Sequence, residues 1–458
     1  MNKNNYTYFI IVFFAFFTSC KNNKVSYAYF TGQIANTKEK SIHLLKNNHE
    51  IYNTTLNSNN NFFIKIDSVK EGLFSFKHGN EIQYFYLEPK DSLVMRLNTW
   101  DFDESLIFSG KGAVKNNYLM HLFLENEKQE KLFYKYYNLN EEDFKHKTDS
   151  LLQIKLLSLK QFKENNTKTS KKFEDLIFLA IYYPIYTQME KFADRKQKNG
   201  QKLSASFYSY RKNVKINRKN FTDFYAYRNY VKNYFINKAN KIAFKKNEKS
   251  NSLILLNQIN KELQNSDFKD DLLQNATLNC ILDENCNFNK KQKAINIFYN
   301  NCKNTKKIQE IKNINNSMQY IQKGNKLPKL TLVDYNGKSF VINKNSLNKN
   351  TVIYFWPKER PRILYMLKRL KYLEKKYTDI NFIGIDSQLD TYNWKSYLKN
   401  NHLNVKNQFK LKSQNAKNWF CNELPRAILI DKNGFIKNDF SYLAQNDFEK
   451  LLKKLSEF

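Results

Sequence analysis

The sequence contains five cysteines, at Cys20, Cys280, Cys286, Cys302 and Cys421, and these carry most of the chemistry its residue types offer. A thiol can be acylated, oxidised to a disulfide or bound to a metal. Cys280, Cys286 and Cys302 lie close together in the chain, so a Cys280–Cys302 or a Cys286–Cys302 bridge across a helical hairpin is open, and spacing alone does not choose between them. Their spacing fits no zinc pattern, and the six histidines do not cluster with them, so neither a metal nor a cofactor is expected. Cys421 stands four residues before Pro425 with nothing obvious beside it to activate its thiol. The sequence has no glycine-rich phosphate loop, no G-x-S-x-G and no H-E-x-x-H.

Cys20 has a different setting. Lys3 supplies a positive start, Phe9 to Phe17 is an apolar run, and Thr18-Ser19 places small residues before the cysteine. The run is too short to span a bilayer, which takes about 20 residues. It reads as a cleaved export signal that resembles a bacterial lipobox, with Phe17 where Leu is commoner. The expected product carries lipid on Cys20, and several acyl chains anchor firmly where one would not. The following Lys21-Asn22-Asn23-Lys24 is basic, which favours an anchor in the outer membrane of the cell envelope facing the periplasm.

The 458-residue chain has 76 Lys+Arg against 43 Asp+Glu, a formal charge of +33. The lysines are spread along it and not gathered into one arm or stripe, so nucleic acid is not expected as a partner. An anionic lipid surface or an acidic partner remains compatible with this charge. With 41% hydrophobic and 16% aromatic residues the chain has enough apolar material for real cores.

Glycine and proline divide the elements that must position these groups. Five of the 10 glycines fall between Gly32 and Gly112, four between Gly324 and Gly434, and only Gly200 between these groups. Turn-rich sheets need such residues and helices avoid them. The first region has alternating runs at Tyr29 to Ile34, Ser41 to Leu45, Asn61 to Ile66, Leu73 to Phe76, Tyr84 to Leu87 and Leu93 to Leu97, closed by Phe108 to Ala113. These predict a small β-sandwich. It resembles the N-terminal domain of unknown function that precedes thioredoxin-like domains in such lipoproteins. The middle shows helical periodicity, as in Phe173, Leu176, Ile177, Ala180 and Ile181, and its aromatic stripes read as helix cores.

From Gly324 the sequence has a hairpin (Leu330-Thr331-Leu332, Asp334 to Lys338), a strand (Val352-Ile353-Tyr354-Phe355-Trp356), a second strand (Ile380 to Ile385), and Leu424-Pro425-Arg426 leading into Ala427 to Ile430 and the tight-turn pair Asn433-Gly434. This succession resembles the TlpA-like and thiol-specific-antioxidant branch of the thioredoxin superfamily. In that branch a Cys-x-x-Cys follows the Phe-Trp strand. Counted back along the helix through Ile363, Met366, Leu367, Leu370, Leu373 and Tyr377, the two cysteines would fall at Arg360 and Ile363. The motif here reads Arg360-Pro361-Arg362-Ile363. Arginine cannot attack a disulfide and isoleucine cannot resolve one, so no catalytic residue is expected. The resemblance also implies a cis proline at Pro425, exposing the Leu424 backbone for strand addition by a peptide. Arg360, Arg362 and Arg426, near the same edge, read either as solvated residues left after catalysis was lost or as the rim of a basic cleft for an envelope protein, an acidic peptide or another anion.

The expected fold class is multidomain α+β: a signal peptide over 1–19, a β-sandwich over 20–115, an α-helical region over 116–318 and a thioredoxin-like α/β domain over 319–458. The expected function is a membrane-anchored envelope lipoprotein with a redox-inactive binding or assembly module. A TlpA-like thiol–disulfide oxidoreductase and a purely structural envelope protein are the alternatives.

Overall fold

The computed structural model describes residues 26–166, 168–283, 285–343, 347–356, 360–386, 394–400, 404–411 and 426–457. Cys20, Cys421, Leu424 and Pro425 lie outside the described residues, as do the side chains of Arg360, Arg362 and Ile363. The chain is multidomain α+β: β-sheets first, helices in the middle and a mixed α/β domain last.

Eight strands and a short helix open it: β1 (Tyr27–Ala35), β2 (Ser41–Lys46), β3 (His49–Thr55), β4 (Asn61–Asp67), β5 (Gly72–His78), β6 (Glu81–Leu87), β7 (Ser92–Asn98), α1 (Phe102–Ser105) and β8 (Ile107–Lys111). They form two four-stranded sheets, β4-β1-β7-β8 and β3-β2-β5-β6. Period-two alternation turns Phe30, Ile64 and Met95 of one sheet and Leu44, Phe76 and Phe85 of the other into a shared core. Phe30 stacks on Phe85 across it, with ring centroids 4.3 Å apart.

Among the described residues eight α-helices follow: α2 (Ala113–Tyr136), α3 (Glu141–Asn165), α4 (Lys171–Lys198), α5 (Tyr225–Lys245), α6 (Ser252–Glu262), α7 (Asp267–Leu282), α8 (Phe288–Asn301) and α9 (Thr305–Tyr320). The stripe Phe173, Leu176, Ile177, Ala180 and Ile181 is buried, and so are Leu179 within it and Tyr183 and Ile185 beyond it. The middle of α4 is therefore buried on most sides. Its Glu190 is fully buried and takes two hydrogen bonds from Arg211, one of them from Nε at 2.8 Å. Asn237 Nδ2 donates to the same carboxylate at 2.6 Å.

The last domain contains β9 (Leu330–Val333), β10 (Ser339–Ile342), β11 (Thr351–Phe355), α10 (Arg360–Lys376), β12 (Asn381–Asp386), α11 (Trp394–Asn400), β13 (Gln408–Leu411), β14 (Ala427–Ile430), β15 (Ile436–Ser441) and α12 (Phe448–Ser456). Its seven-stranded sheet runs β10-β9-β13-β12-β11-β14-β15, with β12 parallel to both β11 and β13 and β14 antiparallel to β11. Strand β11 is buried on both faces, so it reads as one continuous apolar run. Val352, Tyr354 and Trp356 join the core beneath α10 and α12, and Ile353 and Phe355 join the core on the opposite face.

Two compact units account for the chain: Met1–Leu132 with Leu152–Ile181, and Phe133–Leu151 with Tyr182–Phe458. Among the described residues no helix is long and apolar enough to cross a membrane.

Candidate functional site

The site built by the last domain lies where β11 ends and α10 begins. The Trp356 N–H donates to the Ile385 carbonyl at 3.0 Å, and the Phe355 N–H donates to the Arg426 carbonyl at 2.8 Å. The end of the central strand is thus clamped between β12 and the entry to β14. Helix α10 starts at Arg360, with Pro361 in its first turn, where a missing N–H leaves no hydrogen bond unmade. No acidic residue occupies that turn.

Arg426 is not on the rim of a cleft, contrary to the sequence expectation. It is fully buried. Its Nε and Nη2 donate to the Asp439 carbonyl at 2.9 and 2.6 Å, and the guanidinium lies 4.8 Å from the Phe440 ring centroid. Successive side chains of an extended strand point to opposite faces. Position 426 therefore places its backbone beside β11 while its side chain caps β15. It holds the sheet together and does not present charge to a ligand. Of the residues singled out from the sequence, the structure brings the Arg426 backbone to the end of β11. The side chains at 360, 362 and 363, and Leu424 and Pro425, fall outside the described residues.

A buried polar network lies beneath the strand end. Trp356 Nε1 donates to Gln408 Oε1 at 3.1 Å, and Gln408 Nε2 donates to Tyr354 Oη at 2.8 Å. Burial pushes the Tyr354 phenol far above its ordinary range, so it stays neutral. Gly384 makes the network possible. It pairs with Tyr354 on one side and Gln408 on the other, and a Cβ there would meet Gln408 Oε1 at 2.1 Å and Tyr354 Oη at 2.6 Å. Gly384→Ala is expected to destabilise the protein by about 2–4 kcal/mol, combining overpacking with a broken buried hydrogen bond. Urea denaturation checks this, and a loss below about 1 kcal/mol would mean the network can move aside. Sequence reasoning missed Gln408. Its only signal was polarity at the head of the short apolar strand Gln408-Phe409-Lys410-Leu411.

A family described as Thioredoxin-like matches residues 348–436. The C-terminal domain is thioredoxin-like. Similar solved structures include a thiol-disulfide oxidoreductase from Bacteroides fragilis (25% identity, 29% of this chain and 99% of that one, TM-score 0.24). Another is a thiol:disulfide interchange protein from a Bacteroides species (19% identity, 30% of this chain and 92% of that one, TM-score 0.26). A third is the thioredoxin domain of a thiol-disulfide oxidoreductase from Bacteroides vulgatus (19% identity, 29% and 98%, TM-score 0.24). No curated protein matches the sequence.

In this thioredoxin-like domain the stretch from Trp356 to Lys376 contains no cysteine. Among the described residues, no group of three or more His, Cys, Asp and Glu side chains is placed to hold a metal ion. The remaining described cysteines lie in the helical region. Neither bridge to Cys302 considered from the sequence is present, because Cys302 faces the Asn304 carbonyl (Sγ to O 3.8 Å) while Cys280 and Cys286 face each other.

Proposed function

We propose that this protein is an envelope lipoprotein of the TlpA-like branch whose redox-inactive thioredoxin-like domain binds an envelope protein or acidic peptide. One observation carries the reading: α10 begins at Arg360, where the branch resemblance puts the nucleophilic cysteine, and Ile363 stands at the resolving position. Thiol–disulfide exchange at that place is closed to the side chains present. Peptide recognition by backbone pairing beside Leu424–Pro425 needs no thiol. With Arg426 committed to the interior, the ligand-facing charge of the proposed cleft falls to Arg360 and Arg362.

Replacing Arg360 and Arg362 together with serine should reduce capture of the partner from envelope extract while the fold, read by circular dichroism, is unchanged. Equal capture by the variant and the wild type would leave the purely structural reading as the better one. Arg426 is not part of this variant, since its removal would leave the Asp439 carbonyl without its donor.

The tether is proposed to be lipid on Cys20, facing the periplasm from the outer membrane, and nucleic acid is not a proposed partner. Cys20→Ser should move the protein from the membrane fraction to the soluble fraction and abolish labelling by a fatty-acid analogue. An unlabelled wild-type protein would end the lipoprotein reading.

A further inference from the structure

We propose that Cys286 and Cys280 form a thiol–disulfide exchange site for small anionic disulfides, with Cys286 as the attacking sulfur and Cys280 as the resolving one. This goes beyond the binding-module reading and does not rest on it.

The geometry comes from the turn between two helices. Cys280 is in the last turn of α7, and Cys286 directly precedes Asn287, whose side chain caps α8 by accepting from the Lys290 N–H. The Cys286 N–H donates to the Asp283 carbonyl at 3.1 Å, folding the connection back on itself. The two sulfurs are 2.8 Å apart, with the Cys280 thiol donating to the Cys286 sulfur, and the Ser250 hydroxyl is 3.3 Å from that same sulfur. Only small side-chain movements separate this arrangement from a bonded pair.

The two sulfurs are not equivalent. The hydrogen bond from Cys280 pulls the Cys286 thiol below its ordinary range despite burial, with Ser250 and Lys291 adding to this and Asp283 opposing it. The same bond, together with burial, pushes the Cys280 thiol far up. One sulfur is readily a thiolate and the other retains its proton, which is the division of labour that exchange requires.

Access is one-sided. Cys280 is 0% exposed and Cys286 2%, but Cys286 lines a cavity of about 960 Å³. Lys249, Lys291, Lys323 and Lys454 line this cavity together with Lys437, which is ion-paired to Asp431 at 3.0 Å, and the first four outnumber its lining carboxylates, Asp439 and Glu457. Such walls attract a small anion. A cavity of about 960 Å³ is far smaller than a folded protein.

The step balances. The Cys286 thiolate attacks one sulfur of the disulfide R–S–S–R, forming Cys286–S–S–R and expelling the first thiolate. Cys280, losing its proton, then attacks the Cys286 sulfur and expels the second. Two protein thiols are oxidised to one disulfide, the small disulfide is reduced to two thiols, and the two protons released from the cysteines end on these products. A short loop gains little stability from its own cross-link, so the bond formed is easily reopened.

The test uses the full-length reduced protein and glutathione disulfide. Mass mapping after acid quench should find a Cys280–Cys286 linkage, formed about tenfold or more faster than any adduct on Cys302, whose thiol burial pushes up to about 11. Folded Cys280→Ser should trap one glutathione on Cys286, whereas Cys302→Ser should behave as wild type. The neutral 2-hydroxyethyl disulfide should react more slowly, and Lys291→Gln should narrow the difference. A linkage to Cys302 or Cys421, or an unmodified Cys286 in folded Cys280→Ser, would overturn the site. Equal rates with the neutral and anionic disulfides would overturn its preference for anions.

Discussion

The full-length protein should reduce insulin no faster than dithiothreitol alone, and Arg360→Cys combined with Ile363→Cys should create turnover where there was none. The substitution places two sulfurs at the start of α10, on the backbone that follows β11. A cysteine at such a helix start has a pKa near 7 in thioredoxin, so it is about half thiolate at neutral pH, against a few per cent for a free thiol; the gain in reactive sulfur is on the order of tenfold. Resolution by the second cysteine adds a route the single thiol lacks. Turnover by the wild type above the reductant alone would sink the redox-inactive reading. Loss of that turnover in Cys421→Ser, or in Cys280→Ser, would then say which sulfur was responsible. The cavity beside Cys286 is far smaller than insulin, so activity at that site and silence in this assay are compatible.

Glu190→Ala should be the most destabilising single substitution in the helical region, at about 3–5 kcal/mol. Glu190 is fully buried, and Arg211 and Asn237 donate to its carboxylate. Removing the carboxylate leaves the guanidinium of Arg211 in a poorly solvated place with its main partner gone. Because whole-domain stability is commonly about 5–15 kcal/mol, the loss should shift a urea midpoint strongly. Replacing the pair together, Glu190→Leu with Arg211→Met, should recover much of the loss, since no uncompensated charge remains. A single-variant loss below about 1 kcal/mol would show that water reaches Arg211 and takes the place of the carboxylate.

Alternation made most of the sandwich readable in advance. The six runs from Tyr29 to Leu97 lie on β1, β2, β4, β5, β6 and β7, because each turns one apolar side inward. Strand β3 escaped because its residues are mostly exposed and it buries almost nothing. A signal was present in Asn47 and Asn48, both with positive φ, the backbone a tight hairpin turn demands. In the thioredoxin-like domain the apolar runs were legible because the sheet is covered on both faces. The side-chain direction at Arg426 was not, since an arginine next to a proline read as part of a groove looks like surface until β15 is placed beside it. The pairing of Cys280 with Cys286 was missed for a related reason. Helical-hairpin reasoning looked for partners across two full helices and overlooked the turn that joins them.

The two compact units are not successive lengths of chain. Residues 133–151 of the second interrupt the first, which is completed only by Leu152–Ile181. Tyr86 and Phe173 lie tilted against each other with ring centroids 5.1 Å apart inside that first unit, so a residue of β6 meets a segment made long after the last strand of the sandwich. A chain threaded through a membrane from its N-terminus would hold an unfinished first unit until about residue 181 had emerged, and by then the second unit would already have begun. The two units are thus interleaved along the chain, and no single cut of the polypeptide separates one cleanly from the other.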